Sequence, residues 1–367
     1  MLTRPMMRAA MLAAATAAFL TGCGDGSGPG DGRFDPARLM ADGQALEQVL
    51  SNSVFQSVGV AAATASPREG GVALLAADAL LRDARTGPGD DRRAASAIAR
   101  SLLDLTPQLA GAPILPSSVL GTTYVYDAAT QRYAPAPGRT GAPSNGVRFI
   151  LYAINPITNE PVVGTEVGYA DLIDRGGTAL DRVELQLVVV SGGQTYLDYT
   201  LEITGSESSG ELAVDGYLTD GSTRVDFEIG IRGSGAVVTS EAEIDFELAI
   251  RSRDFSVEGH AEAIGGVETG EADIELVVRS GGDRIRYDFA GSSTTINANV
   301  FVNDRLLAII AGDPDSPTVT GANGQALTSE EAQALIYLIH LADAVFAVVG
   351  ELLVAPIVFI AFLTTIP

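Results

Sequence analysis

The sequence predicts an α+β chain that is mainly β. The expected core is a large curved antiparallel β-meander, a half-barrel or open barrel, with N-terminal helices and a C-terminal apolar helix packed on its apolar face. Three observations carry this. Between about Leu180 and Ile310, apolar and polar residues alternate with a period of two, the period of a strand with one wet face. Glycine, Asp and Asn separate the runs and supply the positive φ that tight hairpin turns require. The chain closes with a segment that is apolar almost all round, and such a helix needs an apolar surface to lie on.

In chain order, residues 1–22 read as a signal peptide. Arg4 and Arg8 make a basic start, and Ala9 to Leu20 is an apolar run too short for a good transmembrane helix. Leu20-Thr21-Gly22-Cys23 follows. These four residues resemble the lipobox of bacterial lipoproteins, Leu-small-small-Cys, cut by signal peptidase II. The resemblance implies cleavage before Cys23, acylation of its thiol and stable anchoring to a membrane. It covers only the start of the chain and implies no activity. Gly24 occupies the position after the cysteine and Asp25 the next, which in such a lipoprotein favours the outer membrane; its periplasmic face is expected rather than the cell surface. Cys23 is the only cysteine, so the domain has no disulfide to hold it and depends on its core.

Residues 23–33 read as a flexible linker. Asp25, Ser27 and Asp31 within it match neither a phosphate loop nor a calcium loop, and a tether is the simpler reading. The segment 34–111 reads as helical. Asp35-Pro36 is a cap followed by proline in the first turn, and Leu39, Leu46, Val49 and Leu50 form a stripe. An Ala-rich helix is expected from Val72 to Arg85. Another is expected from Asp91 to Leu105, with Ala95, Ile98, Leu102 and Leu105 on one face and Pro107 as its stop.

Proline and glycine dominate 112–146, a connection with one small hairpin, Thr122–Asp127 against Gln131–Ala134. The meander is expected over 147–313. Its first strands, Val147–Ile154 and Val162–Ile173, carry apolar residues on both faces, as where both sides are covered. Later strands alternate strictly. Val225, Phe227, Ile229 and Ile231 oppose Arg224, Asp226, Glu228 and Arg232. Ala242, Ile244, Phe246, Leu248 and Ile250 oppose Glu241, Glu243, Asp245 and Glu247. Ala272, Ile274, Leu276 and Val278 oppose Glu271, Asp273, Glu275, Val277 and Arg279. Turns are expected at Ser191-Gly192-Gly193-Gln194, Asp220-Gly221, Gly233-Ser234-Gly235, Ser280-Gly281-Gly282-Asp283 and Asn303-Asp304. The hairpins Glu184–Gly193 and Asp273–Gly282 are alike in sequence. One turn recipe used twice accounts for this, and a duplicated unit is the alternative.

The C-terminal apolar helices span 328–363. Thr328-Ser329-Glu330-Glu331 is a capping box, the helix runs from Ala332 to Leu353, and Pro356 is expected to break or kink it before Ile357–Leu363. Burial in the protein is favoured over the membrane, because Asp343 and Glu351 are costly in lipid.

Of 367 residues none is lysine, and the formal charge is −23, which disfavours nucleic acid and anionic membrane surfaces as partners. The candidate sites are few. His260 shares a strand face with Glu258 and Glu262, a donor set that suits zinc. Same-face neighbours on one strand stand about 7 Å apart and point in parallel, so no metal is assigned. His340 and Asp343 share a helical face and pair most simply with each other. The sequence holds no nucleophile elbow and no P-loop, so no catalytic residue and no cofactor are assigned.

The first functional reading is a non-enzymatic envelope lipoprotein that carries a lipid or other hydrophobic ligand. In broad layout the chain is similar to the half-barrel lipid and lipoprotein carriers of the bacterial envelope, the LolA/LolB and LppX types. It shares no quotable motif with them, so no site residue is implied. The alternative is a structural or assembly lipoprotein of the outer membrane with no small ligand, its acidic face meeting a protein partner. A membrane-spanning barrel and an enzyme are the remaining readings. Absence of tryptophan and of aromatic girdles at strand ends argues against the barrel.

Overall fold

The structure, a computed structural model, describes residues 34–65, 115–176, 182–205, 209–234, 241–264, 271–289, 296–313, 316–322 and 327–364. Fifteen strands among them form one open sheet. The first five are β1 (Thr122–Asp127), β2 (Arg132–Pro135), β3 (Gly146–Ile154), β4 (Pro161–Gly176) and β5 (Arg182–Ser191). β6 (Gln194–Gly205), β7 (Ser209–Thr219), β8 (Arg224–Ser234), β9 (Glu241–Ile250) and β10 (Phe255–Ile264) make the middle. β11 (Glu271–Ser280), β12 (Asp283–Phe289), β13 (Ile296–Val302), β14 (Arg305–Gly312) and β15 (Thr318–Gly321) complete it. From β3 to β15 every strand pairs antiparallel with the next in sequence.

Two departures from the predicted 147–313 meander concern its ends. β15 extends the sheet beyond 313. At the other edge the small hairpin is not separate from the sheet, because β1 pairs parallel with β3, Tyr124 opposite Phe149. The connection 136–145 carries the chain back across β1, and a return of that kind sets strands parallel rather than antiparallel.

The turns follow the residues at them. Gly192-Gly193, Gly281-Gly282 and Asn303-Asp304 all have positive φ at both central positions, the condition for a two-residue turn that matches strand twist. Ser234 is still in β8, so the predicted Gly233-Ser234-Gly235 turn starts too early, and 235–240 lie outside the described residues.

The alternation sorts as expected. Val225, Phe227, Ile229, Ile231, Ile244, Phe246, Leu248 and Ile250 are all buried. Phe246 lies over its cross-strand partner Gly259. A Cβ at Gly259 would fall inside that ring, so only glycine leaves the ring its place. β3 is buried on both faces, with Val147, Phe149 and Leu151 on one side and Ile150 on the other. The start of β4 departs from that expectation. Val162 is 38% and Val163 55% exposed, where β4 bulges away from Tyr152 and Ile154 of β3.

Among the described residues, three helices share the apolar core. Helix α1 (Pro36–Leu50) is capped by Asp35, whose carboxylate accepts from the N–H groups of Ala37 and Arg38 at 3.1 and 3.0 Å, satisfying donors the first turn leaves open. Its buried Asp42 is fixed to the sheet: Ser280 Oγ donates to it at 2.8 Å, and Arg253 reaches it at 3.2 Å. Helix α2 (Ser53–Ala65) starts beside Asn52, whose side chain accepts from the Val54 N–H at 2.9 Å. The predicted helices at Val72–Arg85 and Asp91–Leu105 lie outside the described residues.

Helix α3 (Ser329–Thr364) begins with the predicted capping box. Thr328 Oγ1 accepts from the Glu331 N–H at 3.1 Å, and the Glu331 carboxylate accepts from the Thr328 N–H at 2.8 Å. Pro356 does not end it: the helix runs on to Thr364. Proline removes one helical hydrogen bond and costs about 3 kcal/mol. Buried Ala355, Ile357, Val358, Phe359 and Ile360 on either side offset that by far more apolar transfer, at roughly 1.5–3 kcal/mol for each large side chain. Phe359 stacks on Phe149 of β3 with centroids 4.1 Å apart, and Phe362 meets Tyr124 of β1 edge-on at 5.5 Å. At the other end, Tyr287 of β12 donates to the Leu335 carbonyl at 3.1 Å. One contiguous core joins α1, α2, α3 and the apolar side of the sheet.

Candidate functional site

The outward face of β8–β11 is where chemistry-bearing side chains gather. Because each strand pairs with the next, residues line up in rows across the sheet. One row runs Asp215, Glu228, Glu247, Glu258 and Val277 from β7 to β11. The next runs Gly230, Asp245, His260, Glu275 and Asp288 from β8 to β12. The third runs Glu211, Arg232, Glu243 and Glu262 from β7 to β10. An open groove of about 430 Å³ lies over the first two rows, lined by Glu228, Gly230, Arg232, Asp245, Glu247, Glu258, His260 and Glu275 among others.

At its centre His260 Nδ1 stands 2.8 Å from Asp245 Oδ1. Arg232 lies beside them, with Nη1 3.3 Å from both Glu243 and Asp245 and Nε 3.3 Å from Glu211. Donor atoms of Glu243, Asp245 and His260 all fall within 4.8 Å of one another. The same-strand neighbours behave as strand geometry requires. Glu258 turns away from His260 to Arg279, at 2.8 Å, and Glu262 is exposed on the sheet. The partners of His260 therefore come from β9 across the ladder, not from its own strand. The tight turn Arg251–Asp254 between two alternating runs is the signal that locates them: with Ile250 opposite Phe255, Asp245 falls opposite His260.

The hydrogen bond to Asp245 raises the His260 pKa above its ordinary 6.5. Partial burial opposes the shift, and the charges of Asp245, Glu243 and Glu262 add to it. Arg232, Glu228, Glu247, Glu258 and Glu275 are the further charged groups that line the groove with His260. A group raised on folding stabilises while both states are protonated, so this contribution is whole below about 6.5 and fades as pH rises through the folded value. In an NMR titration the His260 resonance, assigned by its loss in His260→Gln, is expected to move above pH 6.5, and Asp245→Asn is expected to lower that midpoint. A midpoint at or below 6.5 in the parent protein would contradict the contact.

The other predicted positions are placed as follows. Leu20, Thr21, Gly22, Cys23 and the linker residues Asp25, Ser27 and Asp31 lie outside the described residues. His340 and Asp343 fall within α3, and their side chains lie outside the described residues. No helix among the described residues is long and apolar enough to cross a membrane. No family model matches this chain, nor does any curated protein or solved structure.

Proposed function

We propose that the chain is a non-enzymatic lipoprotein of the bacterial envelope, anchored through Cys23 to the outer membrane on its periplasmic side. In this reading it is a structural or assembly scaffold that offers the acidic outer face of its sheet to a protein partner. The observation that carries the scaffold over the carrier is the packing of the sheet's apolar side. Leu185, Leu187, Leu201, Ile229, Val278, Tyr287 and Val300 are at most 1% exposed, and α3 lies in the same core with Phe359 against Phe149. A carrier needs a pocket lined by such residues and open to a ligand; among the described residues these side chains are closed off by one another and by the helices. The polarity of the sheet also opposes a membrane-spanning barrel, which turns its apolar band outward, whereas here Glu228, Glu247 and Glu258 line the open groove and Phe227, Phe246 and Val257 are buried.

Two measurements test this. Cys23→Ser is expected to abolish acyl labelling and normal processing, and a membrane-bound, fully processed Cys23→Ser protein would overturn the anchor. Native mass spectrometry of the parent protein is expected to show acylated polypeptide alone. A lipid held non-covalently by the Cys23→Ser protein would overturn the scaffold and favour the carrier.

A further inference from the structure

We propose that Glu243, Asp245 and His260 form a binding site for a divalent transition-metal ion of the zinc class. The site stands whether the protein is a scaffold or a carrier. One imidazole and two carboxylates are a donor set suited to Zn²⁺. Their donor atoms lie within 4.8 Å of one another. A tetrahedral ion with bonds of about 2.0–2.2 Å sets its donors roughly 3.3 Å apart. The side chains of His260 and Asp245 are 46% and 44% exposed, so they have the freedom to close that difference.

Three features separate this trio from ordinary acidic surface. The first is the imidazole, already in contact with Asp245; a metal would take the place of the shared proton. The second is room. Gly230 is the β8 partner of Asp245, and nothing lies within 4 Å of where its Cβ would stand, which leaves a position for water on the ion. The third is electrostatic. Asp215, Glu228 and Glu247 face one another across three strands, and like charges directly opposite destabilise a sheet. A cation in the groove offsets that cost.

Arg232 is the resident competitor. It spans Glu243 and Asp245 through Nη1 and Glu211 through Nε, so it can keep Glu211 when an ion takes the other two. This gives the test a direction that misfolding cannot imitate. Zinc chloride is titrated calorimetrically into the full chain carrying Cys23→Ser, which removes the only thiol. One ion per chain is expected. His260→Gln and Glu243→Gln should each weaken binding about tenfold or more, Arg232→Gln should strengthen it, and Glu202→Gln on β6 should leave it unchanged. No uptake at about 0.1 mM zinc, or uptake indifferent to His260→Gln, would overturn the site and leave only counterions on an acidic face.

Discussion

Phe246→Ala is expected to lower stability by about 3–5 kcal/mol in chemical denaturation, the range for deleting a buried aromatic ring. Phe246 is 5% exposed in the middle of β9. Its ring fills the space that Gly259 leaves on β10, and no neighbouring side chain at that cross-strand position can move in to replace it. The adjacent Asp245 is the internal control. It points to the other face, and its contacts with His260 and Arg232 are half exposed, so Asp245→Ala should cost less than about 1 kcal/mol. Equal losses at the two positions would show that the faces of β9 are assigned wrongly.

Removing Ser329 to Pro367 is expected to have a larger effect still, the loss of a cooperative fold. Helix α3 brings Ala334, Leu335, Leu338, Leu341, Val345, Phe359 and Leu363 into the core, each at most 1% exposed. Its loss uncovers Phe149 and Tyr124 and leaves the Tyr287 hydroxyl without the Leu335 carbonyl. An uncovered apolar face of that size binds hydrophobic dyes and self-associates. A truncated chain that stays monomeric and melts cooperatively would show that the helix is no part of this core.

The sheet was legible because a meander pairs each strand with its sequence neighbour. Period-two runs such as Arg224–Arg232, joined by turn residues such as Gly281-Gly282, carry the strand, its face and its partner in one stretch of chain. The parallel seat of β1 beside β3 was not legible, since it depends on the path of 136–145. The break that Pro356 could have made does not occur, for a related reason. A local rule about helix interiors was outweighed by burial of residues from Ala355 to Ile360 against elements more than a hundred residues away. The site was half legible. His260 stood out, but reading along its own strand led to Glu258 and Glu262, and its partners Asp245 and Glu243 appear only once the hairpin register is used. The acidic face itself was plain in the alternation. Its rows of facing carboxylates were not, because they belong to four strands together.

The central claim, that α3 fills the apolar side of the sheet, is tested most directly by hydrogen exchange on the detergent-free Cys23→Ser protein. Amides of α3 should be protected to the same extent as those of β5 to β8 and should open with them in one global event. Rapid exchange along 329–364 beside a protected sheet would contradict the claim.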